Sequence, residues 1–368
     1  MNNFDSIDIA NKFAIFGEFL DARSFGNGHI NDTFQSRWNQ AGTIVRYTHQ
    51  RINEKIFLRP DKVMENILRV TTHIAGRNRA AGIYDLSRRC LTVVPARDGK
   101  PWARDAQGGW WRTYLFIEDA YTRDSASSPS EARFLGEGIG CFQKQLMDFP
   151  LPRLHDSIEN FHNMEKRYNR FYEILKNDPY DRKKDAACEV KFLLNNEERG
   201  SILVQALREG RISERICHND AKMNNILIDN KDSKALCVID LDTVMPGSSL
   251  FDLGDLIRTV SNTAQEDEKD VQKVSFNAEL FECLLEGYLP QMRGFLNQQE
   301  IELIPEAGRN ITQIMALRFL ADYLEGDRYF RIKRPEHNLD RCRAQIALIK
   351  SMDINCEIAR NIVQKLSH

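Results

Sequence analysis

Hydrophobic and polar positions change rhythm about a third of the way along the chain. Before that point the apolar residues fall in short runs rich in β-branched and aromatic types. These are FGEFLDARSF (16–25), DTFQSRW (32–38), GTIVRYTHQRI (42–52), LTVVPARDG (91–99) and GWWRTYLFIEDAY (109–121). Gly, Asn and Pro separate them, and such runs predict strands. One helix interrupts the series over 60–76: Pro60 starts it, Val63, Ile67 and Val70 repeat at helical spacing, and Gly76 ends it. The segment DGKPWARDAQGG supplies turns between the last two strands. From residue 128 the spacing becomes three and four. SPSEARFLGEGIGCFQKQLMDF (128–149) reads as a helix, and 156–213 is charged and helical with a loop at NDPYDRKKDAA. Two short strands come next at 226–228 and 235–239, joined by a turn. SLFDLGDLIR then opens a helix, and Asp252 and Asp255 in it read as capping residues, with Asp252 also a candidate to organise the loop at 218–225. No internal repeat or low-complexity tract interrupts the pattern. The expectation is an α+β chain in two parts: residues 1–118 a small β-rich lobe, and 119–368 a larger, mainly helical one, with a hinge at 116–120. Trp110 and Trp111 read as core or sheet surface.

Composition narrows the class. The 368 residues exceed one ordinary hydrophobic core, and 42% apolar content is enough to fill two. Fifty-one basic and 53 acidic residues leave a net charge of −2, which argues against a nucleic-acid-binding surface. No apolar run approaches the roughly 18 residues of a membrane span, and the start MNNFDSIDIA lacks the pattern of a signal peptide. Eight cysteines without a CxxC pair read as reduced packing thiols. A cytoplasmic protein with no membrane partner is expected, with the monomer favoured and the oligomeric state left open.

The candidate chemistry lies in ICHNDAKMNNILIDNKDSKALCVIDLD (216–242). Phosphoryl transfer from ATP requires positioning, neutralisation of phosphate charge by Mg²⁺, and a carboxylate that accepts the proton of the attacking hydroxyl. Asp220 suits the carboxylate role, and His218 suits a brace for its loop. Asn225 offers a neutral oxygen five residues on. Asp240, at the end of the second strand, returns a carboxylate to the same neighbourhood if the two strands fold back. Asn225 and Asp240 are therefore the expected Mg²⁺ ligands, a sparse set that suits an ion retaining phosphate and water. Asp242 could serve a second metal or brace the loop.

The H-x-D-x-x-x-x-N signature followed by I-D resembles the aminoglycoside phosphotransferase and choline kinase group, distant relatives of the protein kinases. HNDAKMNNILID and CVIDLDTVMPGSSLFDLGDLIR are similar, more narrowly, to the N-acetylhexosamine 1-kinases. So are SFGNGHINDTF near the start and LRFLADYLEGDRYF with HNLDRCRAQ near the end. The resemblance implies a bilobal protein-kinase-like fold that uses ATP and Mg²⁺ on a small-molecule sugar. It makes Gly26, Gly28 and Asn31 a phosphate loop, with backbone N–H groups close to phosphate oxygens, although two glycines between strands also suit a plain hairpin. It places His29 over the sugar. It puts Arg51 where protein kinases carry a strand lysine, with Glu65 as its natural partner. Main-chain groups near Glu118 and Ala120 would face adenine. Arg318 and Tyr329 would contact the sugar, while Asp322 and Tyr323 read as ordinary helix positions.

The function so implied is phosphorylation of the anomeric hydroxyl of N-acetylglucosamine or N-acetylgalactosamine. Two other readings stay open. One keeps the fold and changes the acceptor to choline, an aminoglycoside or another sugar. The other is a non-catalytic module that only binds nucleotide or sugar.

Overall fold

Six strands from the first third of the chain pair into one antiparallel sheet: β1 (Glu18–Ser24), β2 (Asp32–Gln40), β3 (Thr43–Arg51), β4 (Val93–Val94), β5 (Ala103–Arg104) and β6 (Trp110–Leu115). Their order is β1-β2-β3-β6-β4, with β5 also on β6. The hairpin from β2 to β3 turns on Ala41 (φ 52°) and Gly42 (φ 88°), the two consecutive positive φ values that match the twist of paired strands. Asn39 Oδ1 accepts the Gly42 N–H at 2.9 Å and holds that turn.

This is a computed structural model; it describes residues 6–26, 31–126 and 128–367. The chain divides into two units. The first runs to Ala120 and also takes in Asp148–Glu159 and Leu236–Met245; the second holds Tyr121–Met147, Asn160–Ala235 and Pro246–His368. Two excursions from the expected C-terminal lobe thus belong to the sheet unit. Asn66 shows how they are held there. From the buried face of the helix Pro60–Ala80 its amide donates to His155 O (2.7 Å) and Val244 O (3.0 Å), and its Oδ1 accepts the His155 N–H (3.0 Å).

One face of the sheet packs on the short helix Ser6–Ala10, with Phe34, Trp38, Tyr47 and Trp111 against Ile9, Ala10 and Phe13. His49 lies in the middle of that core and is fully buried. Its ring stacks on Phe34 at 4.5 Å and bonds Ser36 Oγ and Thr113 Oγ1, both at 2.7 Å, so it ties together β2, β3 and β6. Burial holds its pKa down at about 3, and it is neutral at ordinary pH.

The helix from Pro60 runs past Gly76, its expected end, to Ala80. A side chain at Gly76 would meet open space, so this glycine sits in an exposed helical turn without ending it. The chain reverses at Gly82, with φ +76°. Of the expected strand 91–99 only Val93–Val94 enters the ladder, because Pro95 has no N–H to offer it. The turn segment after it contains the short strand β5.

In the helical unit the expected helix at 128 is Pro129–Gln145, capped by Ser128 Oγ accepting the Glu131 N–H at 3.2 Å. Its glycines have a packing reason. The helix Ala278–Met292 crosses so closely that a methyl at Gly136 would overlap the Leu284 carbonyl oxygen, and one at Gly287 the Arg133 carbonyl oxygen. The charged stretch folds as Met164–Asn177, Ala187–Asn195, Glu197–Gly200 and Ile202–Arg208. Ile304–Leu324 is buried along most of its length and packs on Ser249–Val260 and His337–Ile354. Among the described residues no helix is long and apolar enough to cross a membrane.

Candidate active site

In the helical unit, the strand Arg215–Cys217 delivers the chain into a loop that carries Asp220. Asn219 takes a left-handed conformation there (φ 64°), which asparagine tolerates better than most residues. The loop is held from below by Asp252. This fully buried carboxylate accepts the His218 N–H at 3.0 Å, the Asn219 N–H at 2.7 Å and Gln143 Nε2 at 3.1 Å. Its expected capping role belongs instead to Ser248, whose hydroxyl accepts the Leu250 N–H (3.3 Å). Asp252 lies one turn further into the helix, where its side chain reaches the neighbouring loop. Asp255 caps nothing either: it is buried against Arg258 at 2.7 Å.

His218 Nδ1 accepts the Asp220 N–H at 3.2 Å. His162 Nε2 donates to the Asn219 carbonyl at 2.8 Å, which leaves its buried Nδ1 unprotonated and without a partner. Burial holds the His162 pKa down at about 3. Asn225, at the end of the turn Met223–Asn225, donates through Nδ2 to Asp220 O (2.8 Å) and Asp220 Oδ2 (3.2 Å). Its Oδ1 is the atom left for another partner. Lys222 Nζ stands 3.2 Å from Asp220 Oδ2. Burial raises the Asp220 pKa, but Lys222, His218 and Arg318 outweigh it, and the net direction is down. Asp220 is a carboxylate at ordinary pH, with 29% of its side chain exposed.

Asp240 and Asp242 lie in the sheet unit. Asp240 has φ 62° and precedes a turn of 3₁₀ helix, Leu241–Thr243. Both oxygens of the buried Asp242 are engaged: Oδ1 pairs with Arg112 and Oδ2 accepts Asn31 Nδ2 at 2.7 Å. Asn31 Oδ1 in turn accepts the Asn53 N–H at 3.0 Å.

The sequence pattern did not single out Arg112. It is 1% exposed, and its Nε donates to Gln50 Oε1 at 3.0 Å. The register explains why it and not Arg51 meets Asp242. Gln50 pairs with Arg112, and Arg51 with Trp111. Side chains alternate faces along a strand, so Arg51 lies on the face of His49 and Trp111 while Arg112 lies on the other. Arg51 pairs with Asp105 at 3.7 Å, not with Glu65. Glu65 meets Lys62 (2.9 Å) and His155 (3.1 Å). The expected Arg51–Glu65 pair is corrected accordingly.

Gly26 has φ +80°, and a side chain there would meet nothing nearby. Gly28 and His29 lie outside the described residues. Glu118 pairs with Arg46, whose Nε lies 2.8 Å from Oε1. The carbonyls of Glu118 and Asp119 accept from Arg88, each at 3.2 Å, and Ala120 opens the short strand Ala120–Tyr121.

Arg318 and Tyr329 come together in the helical unit, with Arg318 Nη2 donating to the Tyr329 hydroxyl at 3.3 Å. The guanidinium lies over Phe161 (5.2 Å), Tyr329 (5.5 Å) and Phe330 (5.2 Å), an aromatic setting that suits a cation. Arg167 stands 5.7 Å from the Phe161 centroid and donates to the Phe161 carbonyl at 2.9 Å. Burial first, then Arg318, lowers its pKa to about 9. Asp322, read from sequence as an ordinary helix position, fixes this segment. It accepts the N–H groups of Arg328 (2.8 Å), Tyr329 (2.7 Å) and Phe330 (2.9 Å). An acidic residue seven positions before Tyr329, across the turn at Gly326, was the available signal. Two surface cavities of the helical unit, about 530 and 590 Å³, include neither Asp220 nor Arg318 in their linings.

Among the described residues no group of three or more His, Cys, Asp or Glu side chains could cage a metal. Mg²⁺ on a nucleotide takes only one or two protein carboxylates. Asn225 Oδ1 and the Asp240 carboxylate are hard oxygen donors of the right kind.

A sheet lobe and a helical lobe, with a His-x-Asp loop in the second, define the protein-kinase-like α+β class. The phosphotransferase enzyme family model matches residues 21–293, well over half of the chain, and the chain belongs to that family. Among solved structures it is similar to an aminoglycoside phosphotransferase from Alicyclobacillus acidocaldarius (TM-score 0.61, 12% identity, 99% of this chain and 98% of that one). A choline kinase from Cryptosporidium parvum matches with TM-score 0.57 and 13% identity over 95% and 93% of the two chains. A spectinomycin phosphotransferase solved with ADP and spectinomycin matches with TM-score 0.53 and 12% identity over 93% and 94%. At these identities the likeness is one of fold.

Proposed function

We propose that the protein transfers the γ-phosphoryl group of ATP to the anomeric hydroxyl of an N-acetylhexosamine, giving the hexosamine 1-phosphate. The observation that carries this reading is the setting of Asp220: an ionised, reachable carboxylate fixed by Asp252 and Asn225, with Arg318 within electrostatic reach. Asp220 accepts the proton of the hydroxyl as its oxygen bonds to phosphorus, and the bond from phosphorus to the ADP oxygen breaks. An anomeric hydroxyl is more acidic than an ordinary alcohol, so a weak carboxylate base is adequate. Asn225 and Asp240 would hold Mg²⁺, which when bound neutralises phosphate charge. ATP use is supported by the ADP held by the spectinomycin phosphotransferase of similar fold.

Charge supports this choice of acceptor. Arg318 and Arg167 flank Phe161, and among the described residues neither forms a carboxylate ion pair. Two guanidinium groups would repel choline or an aminoglycoside polycation, whereas they donate readily to sugar hydroxyls and an N-acetyl carbonyl. The test is ADP release with ATP, Mg²⁺ and a panel of N-acetylhexosamines, plain sugars, choline and aminoglycosides, with the phosphate located by ³¹P NMR. Phosphate at the anomeric position of an N-acetylhexosamine is expected. Preference for a cationic acceptor, or no acceptor-dependent ADP, would refute the proposal. Asp220→Asn should lower turnover by roughly 10²–10⁴-fold, and unchanged turnover would remove Asp220 from its role.

A further inference from the structure

Asp240 sits in a left-handed conformation, which costs a residue other than glycine stability and persists where its surroundings hold it. The constraint is visible two residues on. Leu241–Thr243 is a single turn of 3₁₀ helix, and Asp242 at its centre is 4% exposed with each oxygen already bonded. Arg112 comes from β6, and Asn31 directly precedes β2. The partners are themselves anchored, Arg112 by Gln50 on β3 and Asn31 by the Asn53 N–H. Just beyond the turn, the Val244 carbonyl accepts from Asn66. Arg112 is also in electrostatic reach of Asp240. One guanidinium among two carboxylates leaves the turn with a single net negative charge.

We propose that Asp242 is the pin of this turn and not a metal ligand, and that Arg112 and Asn31 are positioning residues that act through it on Asp240. This rests on the reading of Asp240 as a ligand for the divalent ion. Strands carry Arg112 rigidly, and its planar fork holds Gln50 and Asp242 in a fixed geometry that a lysine ammonium lacks. Asn31 directly precedes β2, so the aim of Asp240 depends on one hydrogen bond between the entry to that strand and the turn.

A side-chain exchange separates a pin from a ligand. In Asp242→Asn the new amide nitrogen faces the Asn31 amide nitrogen, two donors without an acceptor, and the link breaks. Adding Asn31→Asp restores a donor–acceptor pair in the opposite sense and keeps the total charge, but the carboxylate has left position 242. The probe is Mn²⁺ in the presence of ADP, read by electron paramagnetic resonance of the free ion. Tryptophan fluorescence in urea checks folding. Asp242→Asn should weaken Mn²⁺ binding by about 10-fold, the equivalent of one broken buried hydrogen bond. The exchanged pair should recover most of that loss. Asn31→Ala and Arg112→Lys should weaken Mn²⁺ binding while the KM for the sugar stays within about 2-fold, since they act on the turn alone. An exchanged pair as impaired as Asp242→Asn would make residue 242 a ligand and overturn the proposal. Unchanged Mn²⁺ binding in Asp242→Asn or in Asn31→Ala would overturn it as well. If Asp240→Asn leaves Mn²⁺ binding intact, the fault lies in the underlying reading of Asp240, which this control tests separately.

Discussion

His49 gives the sheet unit a defined sensitivity to acid. An unfolded imidazole titrates near 6.5, and in the folded core burial holds His49 down at about 3. Between those values the unfolded chain binds a proton that the folded one refuses. The contribution of His49 is therefore fully present above pH 6.5 and is lost as pH falls from there toward 3. At pH 5 the loss is about 1.36 kcal/mol per pH unit over 1.5 units, or about 2 kcal/mol. The folded value matters little as long as it lies well below 5. Tryptophan placement supplies the assay. All four tryptophans, at 38, 102, 110 and 111, belong to the sheet unit, so their fluorescence in a urea titration reports that unit alone. Phe34, on which His49 stacks, lies 5.6 Å from Trp111. His49→Gln should be less stable than the parent at pH 7, by about 1–3 kcal/mol, because its polar bonds to Ser36 and Thr113 are remade imperfectly. Between pH 7 and pH 5, however, it should lose about 2 kcal/mol less than the parent. Other titrating groups cancel in that difference. Equal losses in the two proteins would show that His49 is not the buried neutral group described here.

Asp252→Ala strips the acceptor from three buried donors, the His218 and Asn219 N–H groups and Gln143 Nε2. At about 1–3 kcal/mol per orphaned donor, several kcal/mol should disappear from the helical unit, read as a lowered transition in far-ultraviolet circular dichroism. An unshifted transition would mean that the loop does not depend on this carboxylate. Because the Asp220 pKa is lowered, the acid limb of kcat/KM should lie below the range of an ordinary free aspartate. The ionised form is the proposed active one, so activity falls only as pH drops through that limb. A limb centred above the ordinary carboxylate range would contradict the assigned charge state.

How much of this could be read from the sequence depended on the distance between partners. His218, Asp220 and Asn225 lie within eight residues, and one loop with one turn brings them together; the spacing alone foretold that grouping. Asp252 acts over 33 residues, and its period in SLFDLGDLIR looks like that of any helix start, so capping is the leading reading from sequence and the loop-organising role only the second. Arg112 meets Asp242 across 130 residues. Its only local mark is a charge between Trp111 and Thr113 in a strand otherwise built to be buried. Arg51 misled because strand ends look alike until register is known. Once Gln50 is paired with Arg112, alternation alone assigns Arg51 to the opposite face. Gly76 misled in a similar way, since a glycine in an exposed helical turn and one at a helix end differ only in the backbone conformation they adopt. Gly82, six residues later, has the positive φ that ends the run.

The charges around Asp220 bear on acceptor and base together. On the proposed reading, Lys222, His218 and Arg318 make Asp220 a weaker base, a disadvantage with an ordinary alcohol and a small one with an anomeric hydroxyl, whose proton is easier to remove. The same Arg318 lies on three aromatic rings beside Arg167, where it presents donors to an oxygen-rich acceptor and repels a cationic one. A choline or aminoglycoside kinase needs the opposite arrangement, with carboxylates around the acceptor to hold its positive charge. In this chain Asp322, which fixes the segment carrying Tyr329 and Phe330, is turned to the backbone of 328–330 and to Asn338. Arg318 thus contributes both to the weak base and to the cationic surroundings, and on the proposed reading both favour a neutral acceptor with an acidic hydroxyl.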